Sequence, residues 1–125
     1  LLALATKYGP VLVVAPTFPR RAKIEFARVR TGIGIGSSGV EIDRVVWERG
    51  CGFTLACGTG ACATAVAACV EERLARGREI PVHLPGGPLG ITVASDDAGV
   101  RMRGPATTVF RSELDLAALS SSARR

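Results

Sequence analysis

Read for its alternation of hydrophobic and polar positions, the chain falls into short segments separated by Gly- and Pro-rich breaks. Residues 1–8, "LLALATKY", carry apolar positions at helical spacing and are expected to be the end of a helix closed by Gly9-Pro10. "KIEFARVR", residues 23–30, alternates like a strand with one buried face, and "VEIDRVVWE", residues 40–48, follows as a second strand, so the two predict a hairpin. Further strands are expected at "IPVHLP", "LGITVAS" and "GVRMRG", divided by Pro85-Gly86-Gly87-Pro88 and by Asp96-Asp97-Ala98-Gly99. "PATTVFRSELDL" predicts one more strand, and residues 115–125, rich in Ser and Ala, a flexible tail. With no internal repeat and no linker, the chain is expected to be a single domain over residues 1–125.

One segment breaks the strand rhythm. From Gly60 to Val70, "GACATAVAACV" is built of small residues and is apolar around nearly its whole circumference, which predicts a buried helix. Glu71, Glu72, Arg73 and Arg76 then bring it to water, and Gly77 is expected to cap it. Small side chains let strands approach such a helix closely. The fold class expected is therefore α+β, with antiparallel or mixed strands wrapped as a barrel-like sheet around a central buried helix.

Composition removes several functional classes. A length of 125 residues, 47% hydrophobic and 22% charged, suits one ordinary core. The opening run is too short and too soon broken, by Lys7 and Gly9-Pro10, to span a bilayer or act as a signal peptide, so no membrane association is expected. The net charge of +5 comes from scattered arginines without aromatic interleaving or a basic helix, which argues against nucleic acid and suits a small anionic substrate. The string Gly34-x-Gly36-x-x-Gly39 resembles a dinucleotide fingerprint, but a strand follows it where the pyrophosphate needs a helix N-terminus, so it reads as a hairpin loop.

The four cysteines, Cys51, Cys57, Cys62 and Cys69, lie on one local segment. Disulfide frameworks spread their cysteines to tie distant loops, and zinc sites want pairs two to four residues apart, so neither a disulfide frame nor a metal is expected. Reduced thiols in a cytoplasm are. Cys62 and Cys69, seven apart on one helix face, are most simply core residues, because buried thiols in apolar surroundings are inert.

Cys57 differs, because it precedes Gly58-Thr59-Gly60 in the turn that opens the helix. There, unpaired backbone N–H groups and the positive end of the macrodipole stabilise an anion, so a thiol can be poised as a thiolate. The glycines admit a ligand close to the backbone, and Thr59 as N-cap could help the turn hold a carboxylate. Glu48 and Arg49, ending the preceding strand, offer one group for an ammonium and one for a carboxylate. The same residues equally describe a structural turn beside a surface Glu–Arg pair.

"VWERGCGFTLACGTGACATAVAA" closely resembles the second-half motif of diaminopimelate epimerase, and the likeness extends through "LPGGPLGITV" and "VRMRGPATTVF" and back through "FPRRAKIEF". It runs from about Leu1 to Leu114. That family consists of cofactor-independent amino-acid epimerases with two similar halves, each a strand wrap around a helix, and the active site between them. The resemblance implies the C-terminal half of such an enzyme, no cofactor, and a role in lysine and cell-wall precursor synthesis. It implies that Cys57 is one of two catalytic cysteines, that Gly58 and Thr59 hold the reacting α-carboxylate through their amides, and that Glu48 and Arg49 grip the distal ammonium and carboxylate. Lys23 stands where the family usually has Asn, at a position touching the distal end of the substrate.

The family's other cysteine, in its first-half motif, has no counterpart in this chain. Its partner is therefore expected to be a separate first half, or a second copy in a symmetric homodimer that brings two Cys57 sulfurs together. A racemase of another amino acid, such as histidine or proline, is the alternative within the enzyme class, supported by Lys23. A non-catalytic binding or assembly module derived from the half-fold is the alternative outside it. Isomerases of this fold lacking catalytic cysteines fit less well, since Cys57 is present in its matching turn.

Overall fold

In the computed structural model, residues 1–20, 22–32, 39–96 and 98–116 are described. Helix α1 spans Leu2–Leu12 and helix α2 Gly58–Val70; strands β1 Ile24–Thr31, β2 Val40–Glu48, β3 Gly52–Thr54, β4 Glu79–Leu84, β5 Gly87–Val93 and β6 Val100–Arg103 form one mixed sheet. The chain is thus of mixed α and β structure. The strands run β1-β2-β4-β5-β6, with β3 pairing on β2. The alternating segments read from sequence form antiparallel ladders: β1 lies on β2 from Ile24↔Trp47 to Thr31↔Val40. Their connecting loop, where the Gly34 and Gly36 string falls, lies outside the described residues, as do 117–125 of the expected tail.

The β2–β4 pairing, Ile42↔Val82 and Asp43↔His83, is parallel. Parallel neighbours need a long crossover, which here contains α2, and this holds the helix against the sheet. Its buried stripe, Gly60, Ala61, Thr64, Ala65, Ala68 and Cys69, follows helical spacing. It packs in a core with Ile42, Ile80, Val82, Leu84, Ile91 and Val93 from the sheet. Small residues on the helix allow this approach, and the inward members of β2, β4 and the end of β5 alternate with half-exposed ones.

Four features differ from the sequence expectation. The helix is not enclosed on all sides: Ala63, Ala67 and Val70 are exposed, because the open sheet covers one face of α2 and ends at β1 and β6. α1 does not stop at Gly9-Pro10 but continues to Leu12. Pro10 costs a ladder bond, yet Gly9 seats this turn against the Trp47 indole, where a Cβ would come within 2.6 Å of Trp47 Cβ. The C-terminus of α2 is capped by Glu72 rather than Gly77. Glu72 takes the left-handed conformation at φ 58°, its N–H bonds Cys69 O at 3.1 Å, and Arg73 N–H bonds Ala68 O at 2.9 Å, a Schellman closure.

Finally, no strand forms between Gly104 and Asp115 among the described residues. The chain leaves β6 at Gly104-Pro105, where proline has no N–H to extend a ladder, and Val109 and Phe110 stand 88% and 79% exposed. No described helix is long and apolar enough to cross a membrane.

Candidate functional site

The hairpin of β2 and β3 turns through Arg49-Gly50-Cys51, and a short loop, Leu55-Ala56, then delivers Cys57 to the N-cap of α2. Gly86 N–H anchors this loop by bonding Leu55 O at 2.8 Å. Cys57 has extended backbone angles, and its carbonyl accepts the first helical bond, from Ala61 N at 3.0 Å. Thr59, expected to be the cap, instead lies inside the first turn; the chain enters the helix one step earlier, and the cap position has a thiol that makes no capping bond.

Thr59 has a different relationship to Cys57. Its Oγ1 lies 3.5 Å from Cys57 Sγ, in hydrogen-bond contact. The Gly60 amide, in the same turn, also favours the charged form of the sulfur. Lys23 Nζ approaches from the start of β1, donating to the sulfur at 3.5 Å while forming an ion pair with Glu48 Oε2 at 3.1 Å. Thr54 Oγ1 donates to the other Glu48 oxygen at 2.7 Å. The structure therefore brings Thr59, Lys23 and Glu48 together around the sulfur of Cys57, a residue that is 8% exposed.

The electrostatics follow from these contacts. Burial pushes the Cys57 thiol up, but the Thr59 and Gly60 hydrogen bonds, helped by the Lys23 charge, outweigh both burial and the opposing Glu48 carboxylate. The thiol accordingly titrates below its ordinary value. Cys62 goes the other way, raised by burial. Glu48 is lowered, first by the Thr54 bond and then by Lys23, and Lys23 is raised, chiefly by its bond to Glu48. All four cysteines are free thiols, with Cys69 buried, Cys62 half-buried against the core and Cys51 exposed.

Gly58 and Thr59 begin the helix, so their amides have no intrahelical acceptor and can meet an anion. Met102 on β6 overlies this end, its Sδ 2.9 Å from where a Gly58 Cβ would sit. Arg49 is not drawn into the cluster: it is exposed and donates to the Arg20 carbonyl at 2.7 Å. No group of three or more His, Cys, Asp or Glu suited to a metal occurs among the described residues.

Two supporting residues escaped the sequence reading. Arg44 is 2% exposed; its Nε bonds Glu25 Oε2 at 2.6 Å and its Nη1 bonds the Cys57 carbonyl at 3.0 Å. The pair fills the space under Gly60, where a Cβ would come within 2.6 Å of Arg44 Nη2. The signal was present in β2, because Arg44 falls in phase with buried Ile42 and Val46. A charged residue on the inward phase of a strand marks a buried partner.

The family model described as "Diaminopimelate epimerase" matches residues 2–109. A diaminopimelate epimerase of Heliobacterium modesticaldum is 44% identical over 114 residues, covering 91% of this chain and 37% of the relative. One from Desulforudis audaxviator is 49% identical over 104 residues, covering 83% and 34%, and one from Moorella thermoacetica is 44% identical over 114 residues, covering 91% and 38%. The chain thus spans little more than a third of the length of these relatives.

Proposed function

On the premise that this chain belongs to the diaminopimelate epimerase family, we propose that it is the C-terminal half of a cofactor-independent epimerase converting LL-diaminopimelate to the meso form, with Cys57 as one of its two acid–base thiols. The observation that carries the reading is the environment of Cys57, a sulfur at a helix N-cap whose contacts favour its thiolate. Removing an α-proton without an electron-withdrawing cofactor needs a positioned base and strong stabilisation of charge developing on the carboxylate. The Cys57 thiolate takes the proton from one face of the α-carbon, and a thiol opposite returns one to the other face. The C–H electron pair stays on the carbon between the two steps, its charge spread into the carboxylate.

In this account the amides of Gly58 and Thr59 receive that carboxylate, and Glu48 and Arg49 take the distal ammonium and carboxylate. The partner is a first half carrying the second thiol, and the product serves lysine synthesis in the cytoplasm. A chain with a single acid–base thiol does not epimerise by two bases, so we expect no turnover from it alone. When it is assembled with the first half of a relative, Cys57→Ser is expected to abolish conversion while leaving substrate binding largely intact, and Arg49→Ala to weaken capture. Unchanged turnover in both variants would refute the assignment.

A second reading, a racemase of another amino acid, draws support from Glu48. Both of its oxygens are engaged, Oε1 by Thr54 and Oε2 by Lys23. A substrate ammonium would share Glu48 with Lys23, a like charge, so a substrate without a distal ammonium suits the site as well. Activity on LL-diaminopimelate compared with a single-centre amino acid in the assembled enzyme separates the two readings.

A further inference from the structure

We propose that Lys23 is a positioning residue for Cys57: its ammonium, restrained by Glu48, is the counter-ion that adds to the contacts of the helix turn in making this thiol the resting proton acceptor of the site. The inference rests on the reading of Cys57 as a reacting thiol.

The placement begins in the sheet. Ile24 pairs with Trp47, so Lys23 and Glu48 continue the same antiparallel register just beyond it. Opposite charges facing each other across a ladder attract, and here the Nζ–Oε2 separation is 3.1 Å. Glu48 is itself fixed by Thr54 from β3, which leaves Lys23 little freedom to swing away from the sulfur. Its Nζ donates to Cys57 Sγ at 3.5 Å. A long side chain, 46% exposed and rich in rotamers, is thereby held within hydrogen-bond contact of the sulfur.

Each element around the sulfur contributes differently. From α2 come the Thr59 hydroxyl and the Gly60 amide, which are neutral. From β2 come Glu48, whose negative charge opposes the thiolate, and Arg44, whose guanidinium is occupied by Glu25 of β1 and by the Cys57 carbonyl rather than by the sulfur. β6 contributes uncharged Met102 over Gly58. Without Lys23, the charge beside Cys57 would be the unfavourable one of Glu48. The lysine opposes it and adds a direct donor to the thiolate.

The consequence for a two-thiol reaction is asymmetry. One sulfur must start ionised and the other protonated, and a cation against one of them decides which. Cys57 then begins the cycle as base, and its partner thiol as acid.

The test needs no turnover. In the 125-residue chain, alkylation of Cys57 by uncharged iodoacetamide, mapped by mass spectrometry, is followed against pH for the wild type, Lys23→Met and Lys23→Arg. Lys23→Met is expected to move the midpoint up by about one pH unit, a roughly tenfold loss of reactivity below the midpoint, and Lys23→Arg to restore most of it. The thiolate absorbance assigned to Cys57, by difference from Cys57→Ser, gives the same midpoint independently. An unchanged midpoint in Lys23→Met overturns the proposal. Should that occur while Cys57→Ser still abolishes turnover in the assembled enzyme, the epimerase reading stands and only the role of Lys23 falls. A shifted midpoint in a chain that supports no epimerisation would have the opposite meaning.

Discussion

Arg44 donates to Glu25 across the β1–β2 ladder at 2.6 Å, and a second nitrogen of the same guanidinium bonds the Cys57 carbonyl at 3.0 Å. One buried cation thus ties the edge of the sheet to the first turn of the helix. The catalytic proposal depends on that turn being rigid, since a sulfur that wanders cannot meet a proton at a fixed distance. Removing one member of a buried pair leaves the other uncompensated. Arg44→Met is expected to cost about 3 kcal/mol in denaturant unfolding, and adding Glu25→Gln to recover part of it. A single variant within about 0.5 kcal/mol of wild type would show that the pair holds nothing.

Helix α2 ends on strain that can be relieved. Glu72 occupies the left-handed region at φ 58°, where a Cβ crowds its own backbone. Glycine takes that conformation freely, and the carbonyls it helps to cap belong to Ala68 and Cys69 in the core. Glu72→Gly is predicted to raise stability by about 1 kcal/mol, read from the midpoint of urea unfolding. A loss of stability would mean that the Glu72 side chain does more than turn the chain.

The centre of the sheet and α2 were legible because β2, β4 and the end of β5 alternate in phase with one buried face and the helix breaks that period. α1 was cut short because Gly9-Pro10 reads locally as a stop, whereas its continuation depends on Trp47, distant in sequence. Thr108-Val109-Phe110 has strand composition, but composition cannot tell whether a sheet edge is there to receive it. In the site, Cys57 and Glu48 stood out by position. Lys23 was read only as a substrate contact, because its meeting with Cys57 spans 34 residues and depends on the β1–β2 register.

Acid should weaken the fold through its paired carboxylates. Glu48 is lowered by Thr54 and then Lys23; at Asp43 burial acts upward, but Arg28 and Arg30 prevail; Glu79 is lowered by Arg103. Each binds protons more weakly folded than unfolded, so its contribution is full above its ordinary value, 4.5 for the two Glu and 3.8 for Asp43, and is lost as pH falls through the lower folded value. Lys23 has the opposite sign: raised from 10.5, it stabilises below that value and loses its contribution as pH rises through the folded one. Unfolding free energy should therefore be flat near neutrality and decline on acidification through this window, and Asp43→Asn should flatten the decline. An unaltered acid slope in that variant would rule out Asp43 as a contributor.

Thiol reactivity should follow environment rather than sequence neighbourhood. At mildly acidic pH, a brief pulse of a small alkylating reagent is expected to label Cys57 ahead of Cys62 and Cys69, since Cys57 is lowered and Cys62 is raised by burial. Exposed Cys51 serves as the control for access. Labelling of Cys62 or Cys69 before Cys57 would contradict the geometry described for the helix N-terminus.

The central claim, that Cys57 moves a proton at the α-carbon of an amino acid, is tested most directly by deuterium wash-in. The chain, assembled with the first half of a relative, is incubated with LL-diaminopimelate in heavy water, and α-deuteration is followed by NMR. The account predicts deuterium at the inverted centre with the wild-type chain and a loss of at least about a hundredfold in its incorporation with Cys57→Ser, as removal of an acid–base group entails. Incorporation at an undiminished rate in Cys57→Ser would contradict it.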